Sequence, residues 1–221
     1  MEEFGAAVSF DGRDYAVEAG TFYERERYTV EPDMSAACYF YAAAAVTGGR
    51  ALVLHVHRDN TQGDLRFLEV LEKMGCTVTE EPEGIRVFGP AAGELHGVTV
   101  DMNDFSDQAL TLAAIAPFAD SCVKITHIGH IRRQESDRIH AICAELSKLG
   151  ITCDEGEDSV TVYPGMPGGG IVETYEDHRV AMAFSLIGLR TDGIVIDNPG
   201  CCAKTFEAYF DVLDRLTGQT S

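Results

Sequence analysis

Apolar and polar positions follow one another in the same order three times along this chain. "LEVLEKMG" runs into Gly75 and "AELSKLG" into Gly150, each a glycine placed where a helix closes in a left-handed turn. Gly5 of "MEEFG" and Gly218 of "LDRLTG" stand in the same register, with about 70 residues between successive glycines. After Gly5, Gly75 and Gly150 come two short alternating segments around a polar turn: "AAVSFDGRDYAV", "CTVTEEPEGIRVF" and "ITCDEGEDSVTVY". That alternation predicts a β-hairpin in each place. An acidic residue and an apolar, alanine-rich helix follow, opening at Asp33, Asp107 and Asp177. A strand comes next ("ALVLHV", "CVKITHI", "GIVID"), and then a helix with one apolar stripe, as at Leu65, Leu68, Leu71 and Met74.

The chain therefore reads as three copies of hairpin, helix, strand, helix. The first helix of each copy is apolar nearly all round, which places it in the interior. The second needs cover on one face only, which a sheet supplies. Hairpins in every copy argue against an ordinary doubly wound parallel sheet. The expected fold is mixed α/β (α+β): an inside-out α/β barrel of three hairpin-helix-strand-helix repeats, sheets outside and helices inside.

Charge narrows the function. With 17 Lys and Arg against 36 Asp and Glu, the formal charge is −19. Nucleic acid is thereby excluded as a partner, because neutralising phosphates needs a basic surface. No apolar run is long enough to span a bilayer, and "MEEFGAAVSF" lacks the basic flank and apolar core of a signal peptide. Seven cysteines, none in metal-ligand spacing, are expected to be free thiols in a reducing cytoplasm; Cys38, Cys76, Cys122, Cys143 and Cys153 lie in apolar patterns.

Against this acidity, "RRQESDR" puts three arginines into seven residues, at the start of the helix carrying Ile139, Ile142, Leu146 and Leu149. In the copies, the turn before the second helix holds Arg132, Arg138 and Lys204, while "YEDHR" puts His178 and Arg179 in the first turn of the third apolar helix. Helix N-termini present unpaired N–H groups, and guanidinium forks match paired anionic oxygens. Repeat symmetry would gather these ends on one rim, as a site for a ligand with more than one anionic group. The plainer alternative is a helix start capped by Asp137, with Glu135 and Arg138 as a surface pair. His127, His130 and His140 are equally readable as surface histidines.

"RRQESDRIHAICAELSKLG", "TYEDHRVAMAFSL" and "KTFEAYFDVLDRL", with "QGDLRFLEVLEKMG" and "DMNDFSDQALTLA", resemble in order and spacing the C-terminal half of the EPSP synthase (3-phosphoshikimate 1-carboxyvinyltransferase) family. The resemblance runs from the first hairpin to the last helix. It implies transfer of the enolpyruvyl group of phosphoenolpyruvate to the 5-hydroxyl of shikimate 3-phosphate, with no cofactor and no metal. It also implies two domains of three repeats with the site between them. On the family's pattern, Asp107 matches the proposed base and Glu135 the proposed proton donor. Arg138 and Arg179 match the pair on the phosphoenolpyruvate carboxylate, Lys204 matches a phosphate ligand, and His178 lines the same pocket. His130 and Gln134 stand on the shikimate-phosphate side, where the family usually has Asn and Lys; inward-turned, Arg133 would restore the charge that Gln134 lacks.

The family's N-terminal motifs do not occur in this sequence. On that reading residues 1–30 are a hairpin remnant of the missing N-terminal domain, residues 31–221 form the C-terminal enolpyruvyl transferase domain, and the missing half is the chain's partner. Two other functions fit the same residues: enolpyruvyl transfer to a UDP-amino sugar, and a non-catalytic anion-binding or partner-binding domain.

Overall fold

The computed structural model describes residues 1–91 and 94–218. They form two units, Met1–Pro32 and the residues from Asp33 onward. In the first, a 3-10 turn at Glu2–Phe4 closes on Gly5, and strands β1 (Val8–Phe10) and β2 (Tyr15–Val17) form an antiparallel hairpin. Its turn is set by the Asp11 carboxylate, which accepts the N–H groups of Arg13 and Asp14 at 2.9 and 2.8 Å.

In the second unit α1 (Met34–Thr47), β3 (Arg50–Leu54) and α2 (Phe67–Lys73) come first. The hairpin β4 (Thr77–Glu81) and β5 (Gly84–Phe88) follows, then β6 (Thr99–Asp101), α3 (Ala109–Ile115), β7 (Val123–Thr126) and α4 (Arg138–Lys148). The last repeat comprises β8 (Cys153–Glu155), β9 (Val160–Val162), β10 (Gly170–Val172), α5 (His178–Ser185), β11 (Ile194–Ile196), α6 (Ala203–Phe206) and α7 (Tyr209–Thr217). Gly5, Gly75, Gly150 and Gly218 all take the left-handed conformation, with φ of 97°, 98°, 83° and 70°. A residue with a Cβ resists that backbone, so glycine marks each register.

The helices opening at Met34, Ala109 and His178 make the interior. All seven residues of α3 are buried, α1 packs on one side of it and α5 on another. The two larger sheets each join a strand of one repeat to the hairpin of the next: β3-β5-β4 and β6-β7-β9-β8. The outer faces stay in water, as at Ile171 and Val195, while the inner faces (Ile85, Val87, Val123, Ile125, Val160, Val162) are fully buried.

Four details differ from the sequence expectation. β6 and β10 are additional three-residue strands, parallel to β7 and β11 and too short to carry a periodic signal. The helix expected at Asp107 starts as a 3-10 turn over Asn103–Gln108, interrupted by Phe105 at φ −146°, ψ 42°. The closing helix is broken after Phe206 into α6 and α7. Cys122 is exposed rather than in an apolar interior, although all seven cysteines are free thiols.

Candidate functional site

Two helix starts and two turns bring charged groups together. Asp137 caps α4, its carboxylate accepting the His140 N–H at 3.1 Å, and Asp177 caps α5 by accepting that of Arg179 at 3.0 Å. The caps hold Arg138 and His178 at the first position of their helices. Arg138 is 3% exposed. It donates from Nε to Asp177 Oδ2 at 2.8 Å, from Nη1 to Asp107 Oδ1 at 3.0 Å, and from Nη1 to the Gln134 side-chain oxygen. Arg179 donates from Nη2 to the other Asp107 oxygen at 2.8 Å, so two guanidinium groups share one carboxylate. Asp177, fully buried, also accepts from Ser136 Oγ at 2.9 Å. Burial pushes its carboxyl upward, but hydrogen bonding and charge from Arg138 prevail and hold it below the usual range.

Beside this cluster, Glu135 Oε2 lies 3.0 Å from His178 Nδ1 and 2.6 Å from Lys204 Nζ. Burial raises the Glu135 carboxyl, and the Lys204 hydrogen bond and the His178 interaction more than offset it, leaving Glu135 ionised. Burial lowers His178 below an ordinary imidazole, against the opposing pull of Glu135. A neutral His178 donates its Nδ1–H to the carboxylate.

Asp107, Gln134, Glu135, Arg138, His178, Arg179 and Lys204 thus belong to one connected network. His130 does not join it. It is exposed and sits 2.8 Å from Ser106 Oγ, next in the chain to Asp107. Arg132 turns away to Asp137, Glu155 and the carbonyls of Gly156 and Glu157, tying the loop to the β8–β9 hairpin. Arg133 is exposed, so it does not replace the charge missing at Gln134 through any interior contact. The heptapeptide "RRQESDR" therefore places one of its three arginines in the cluster.

Two participants escaped the sequence reading. Asp177 was legible only as a helix cap, because its partner Arg138 is 39 residues away. Asp64, in the turn before α2, receives Ser35 Oγ and, at 2.9 Å, Gln108 Nε2, which joins α1, α2 and α3 behind Asp107. Burial raises the Asp64 carboxyl.

Glu135, Asp177 and His178 lie close enough to share a cation, but Lys204 and Arg138 already occupy the carboxylate oxygens, so these residues do not fit a metal. A cavity of about 510 Å³ between β11, α5 and α7 is lined by Ile194, Ile196, Phe210 and Leu213 and by no cationic side chain. It carries none of this chemistry. No helix among the described residues is long and apolar enough to cross a membrane.

Comparison with known proteins gives the same answer from three directions. A sequence model of EPSP synthase (3-phosphoshikimate 1-carboxyvinyltransferase) matches residues 1–213. The 3-phosphoshikimate 1-carboxyvinyltransferase of Trichormus variabilis is 47% identical over 220 residues, 99% of this chain and 51% of that protein. That of Nostoc punctiforme is 48% identical over 211 residues, 95% of this chain and 49% of that protein. The structure of EPSP synthase from Acinetobacter baumannii superposes with a TM-score of 0.83 at 27% identity, over 97% of this chain and 52% of that one. The enolpyruvyl transferase NikO from Streptomyces tendae, at 20% identity and a TM-score of 0.69, shares the fold. The chain spans about half the length of the curated relatives it matches, and it belongs to the EPSP synthase family.

Proposed function

We propose that this chain is the C-terminal half of a 3-phosphoshikimate 1-carboxyvinyltransferase, working in the cytoplasm with an N-terminal half that completes the site. The observation that carries the reading is the network itself: two carboxylates, Asp107 and Glu135, each held by cations suited to an anionic substrate. The reaction adds the acceptor hydroxyl to C2 of phosphoenolpyruvate as the methylene carbon gains a proton. The tetrahedral adduct then loses that proton and phosphate, leaving the enol ether.

Each residue's part follows from what it holds now. The phosphoenolpyruvate carboxylate takes the Arg138 and Arg179 donors and displaces Asp107, which becomes free to accept the acceptor's hydroxyl proton. Its phosphate draws Lys204 from Glu135. Having lost its cation and gained an anionic neighbour, Glu135 rises in pKa and can carry the proton for the methylene carbon. His178, donating to Glu135, orients it. Gln134 and His130 serve the acceptor side, with hydrogen bonds and no fixed charge.

The test is complementation. The chain is mixed with the N-terminal half of the Trichormus variabilis relative, and phosphate release is followed with shikimate 3-phosphate or a UDP-amino sugar as acceptor. Release that requires phosphoenolpyruvate, shikimate 3-phosphate and both halves is expected, with none from the chain alone, because positioning and preorganised charge supply most of such a rate enhancement. Release with the UDP-amino sugar instead would change the acceptor. No binding of phosphoenolpyruvate and no release from the mixture would leave a non-catalytic domain.

A further inference from the structure

Tyr39 lies in the second turn of α1, 1% exposed, with its ring edge-on to Tyr209 at 5.7 Å. Other buried tyrosine hydroxyls find acceptors: Tyr41 donates to the Ile85 carbonyl at 3.1 Å and Tyr209 to that of Met182 at 3.0 Å. The Tyr39 hydroxyl makes no hydrogen bond of full geometry among the described residues: its oxygen faces the Arg179 guanidinium, which can only donate, and its proton has no acceptor. Burying a donor without an acceptor costs on the order of 1–3 kcal/mol, so an unaccepted proton at this depth calls for an explanation. Tyr39 lines a cavity of about 30 Å³ together with Ser35, His178, Arg179 and Thr205, and with Asp33, whose carboxylate is engaged in capping α1 through the Ala36 N–H. That volume admits about one water or one oxygen atom of a larger group.

The neighbour decides which way the hydroxyl points. Arg179 is the cation acting most strongly on it, so the phenol oxygen's lone pairs face the guanidinium and its proton is directed elsewhere. Burial drives the phenol pKa upward, and the group remains a donor at any working pH. A donor beside a guanidinium, in a slot the size of one oxygen, is a fitting for an oxyanion that the guanidinium already grips.

We propose that Tyr39 is a ligand-positioning residue: its hydroxyl donates to a carboxylate oxygen of the anionic substrate bound by Arg179, with that oxygen seated in the cavity between α1 and α5. The proposal rests on the carboxylate-binding role given to Arg179 above. It adds a neutral third donor to the two guanidinium groups. Being neutral, Tyr39 fixes where an oxygen sits without adding attraction for anions in general.

The test is Tyr39→Phe, which keeps the ring packing and removes one oxygen. Phosphoenolpyruvate and, separately, inorganic phosphate are titrated calorimetrically into the parent chain, Tyr39→Phe and Arg179→Lys, each mixed with the N-terminal half of the Trichormus variabilis relative. A hydrogen bond to a charged group corresponds to about a tenfold loss or more, so Tyr39→Phe should bind phosphoenolpyruvate roughly tenfold more weakly. Its affinity for inorganic phosphate should stay within about twofold, and its thermal midpoint should be unchanged or higher, since an orphan hydroxyl has been removed. Unchanged phosphoenolpyruvate affinity in Tyr39→Phe, with loss in Arg179→Lys, would show that the slot holds only water and would overturn this role while leaving the site reading intact. Equal losses for both anions would overturn it too, because the slot would not be specific for a carboxylate. A parent chain that binds no phosphoenolpyruvate even when mixed with the N-terminal half would remove the site reading and this role with it.

Discussion

Asp107 is the residue on which the site's resting state turns. Its two oxygens meet Arg138 and Arg179 at 3.0 and 2.8 Å, so it occupies the donors a substrate carboxylate would need. Asp107→Asn removes that internal competitor while keeping the shape. Phosphoenolpyruvate should then bind several-fold more tightly, whereas turnover in the complemented enzyme should fall about a hundredfold or more, as when a general base is lost. Weaker binding would mean that Asp107 orients the arginines and does not compete for them. His178 sets a pH dependence. Its folded pKa lies below the unfolded value of about 6.5 because burial disfavours the charged ring. The unfolded state therefore binds more protons in that window, and the group's contribution is full above about pH 6.5 and lost as pH falls through the folded value. Asp177, depressed below its unfolded value of about 3.9, acts in the same direction at more acid pH. Urea midpoints between pH 7.5 and 5 should fall less in His178→Gln than in the parent; parallel slopes would count against it.

Among the elements, α3 is the one most exposed to packing loss, since none of its seven residues reaches solvent. Leu112→Ala should cost about 2–5 kcal/mol by chemical denaturation, the range for a buried leucine whose surroundings relax only in part. A cost under about 1 kcal/mol would show that α1 and α5 close over the gap. The three-copy order of hairpins, helices and strands was legible because glycine closures and period-2 or period-3.6 patterns are local signals. β6 and β10 were not legible: three residues hold little more than one alternation, and their partners are supplied by tertiary pairing. The 3-10 entry to α3 escaped for a related reason, as Asp107 carries the composition of a helix cap while Phe105 bends the backbone. Charge density was the least reliable guide. It drew Arg132 and Arg138 toward one site, but side-chain direction depends on the fold: Arg132 ties down a hairpin, and only Arg138 joins the cluster, buried on Asp177, an acid whose partnership crosses two repeats.

For the molecule as a whole, the site is not the basic basin that "RRQESDR" suggests. Arg138, Arg179 and Lys204 are opposed by Asp107, Glu135 and Asp177, so three cations meet three carboxylates and the resting cluster is close to neutral. Around it the chain carries a formal −19. On the proposed function, an approaching phosphoenolpyruvate would meet net repulsion beyond contact distance and favourable donors only on arrival. Salt shortens the reach of that repulsion, with a screening length of about 30 Å at 0.01 M and about 10 Å at 0.1 M. The contacts with buried Arg138 are screened much less. Raising sodium chloride from 10 to 100 mM should thus increase the association rate of phosphoenolpyruvate, the reverse of what a positive funnel gives. Stopped-flow measurement at constant pH reads this directly. A rate that falls steadily with salt would mean that local positive potential outweighs the total charge, and that the carboxylates of the network do not neutralise its cations as the ligand approaches.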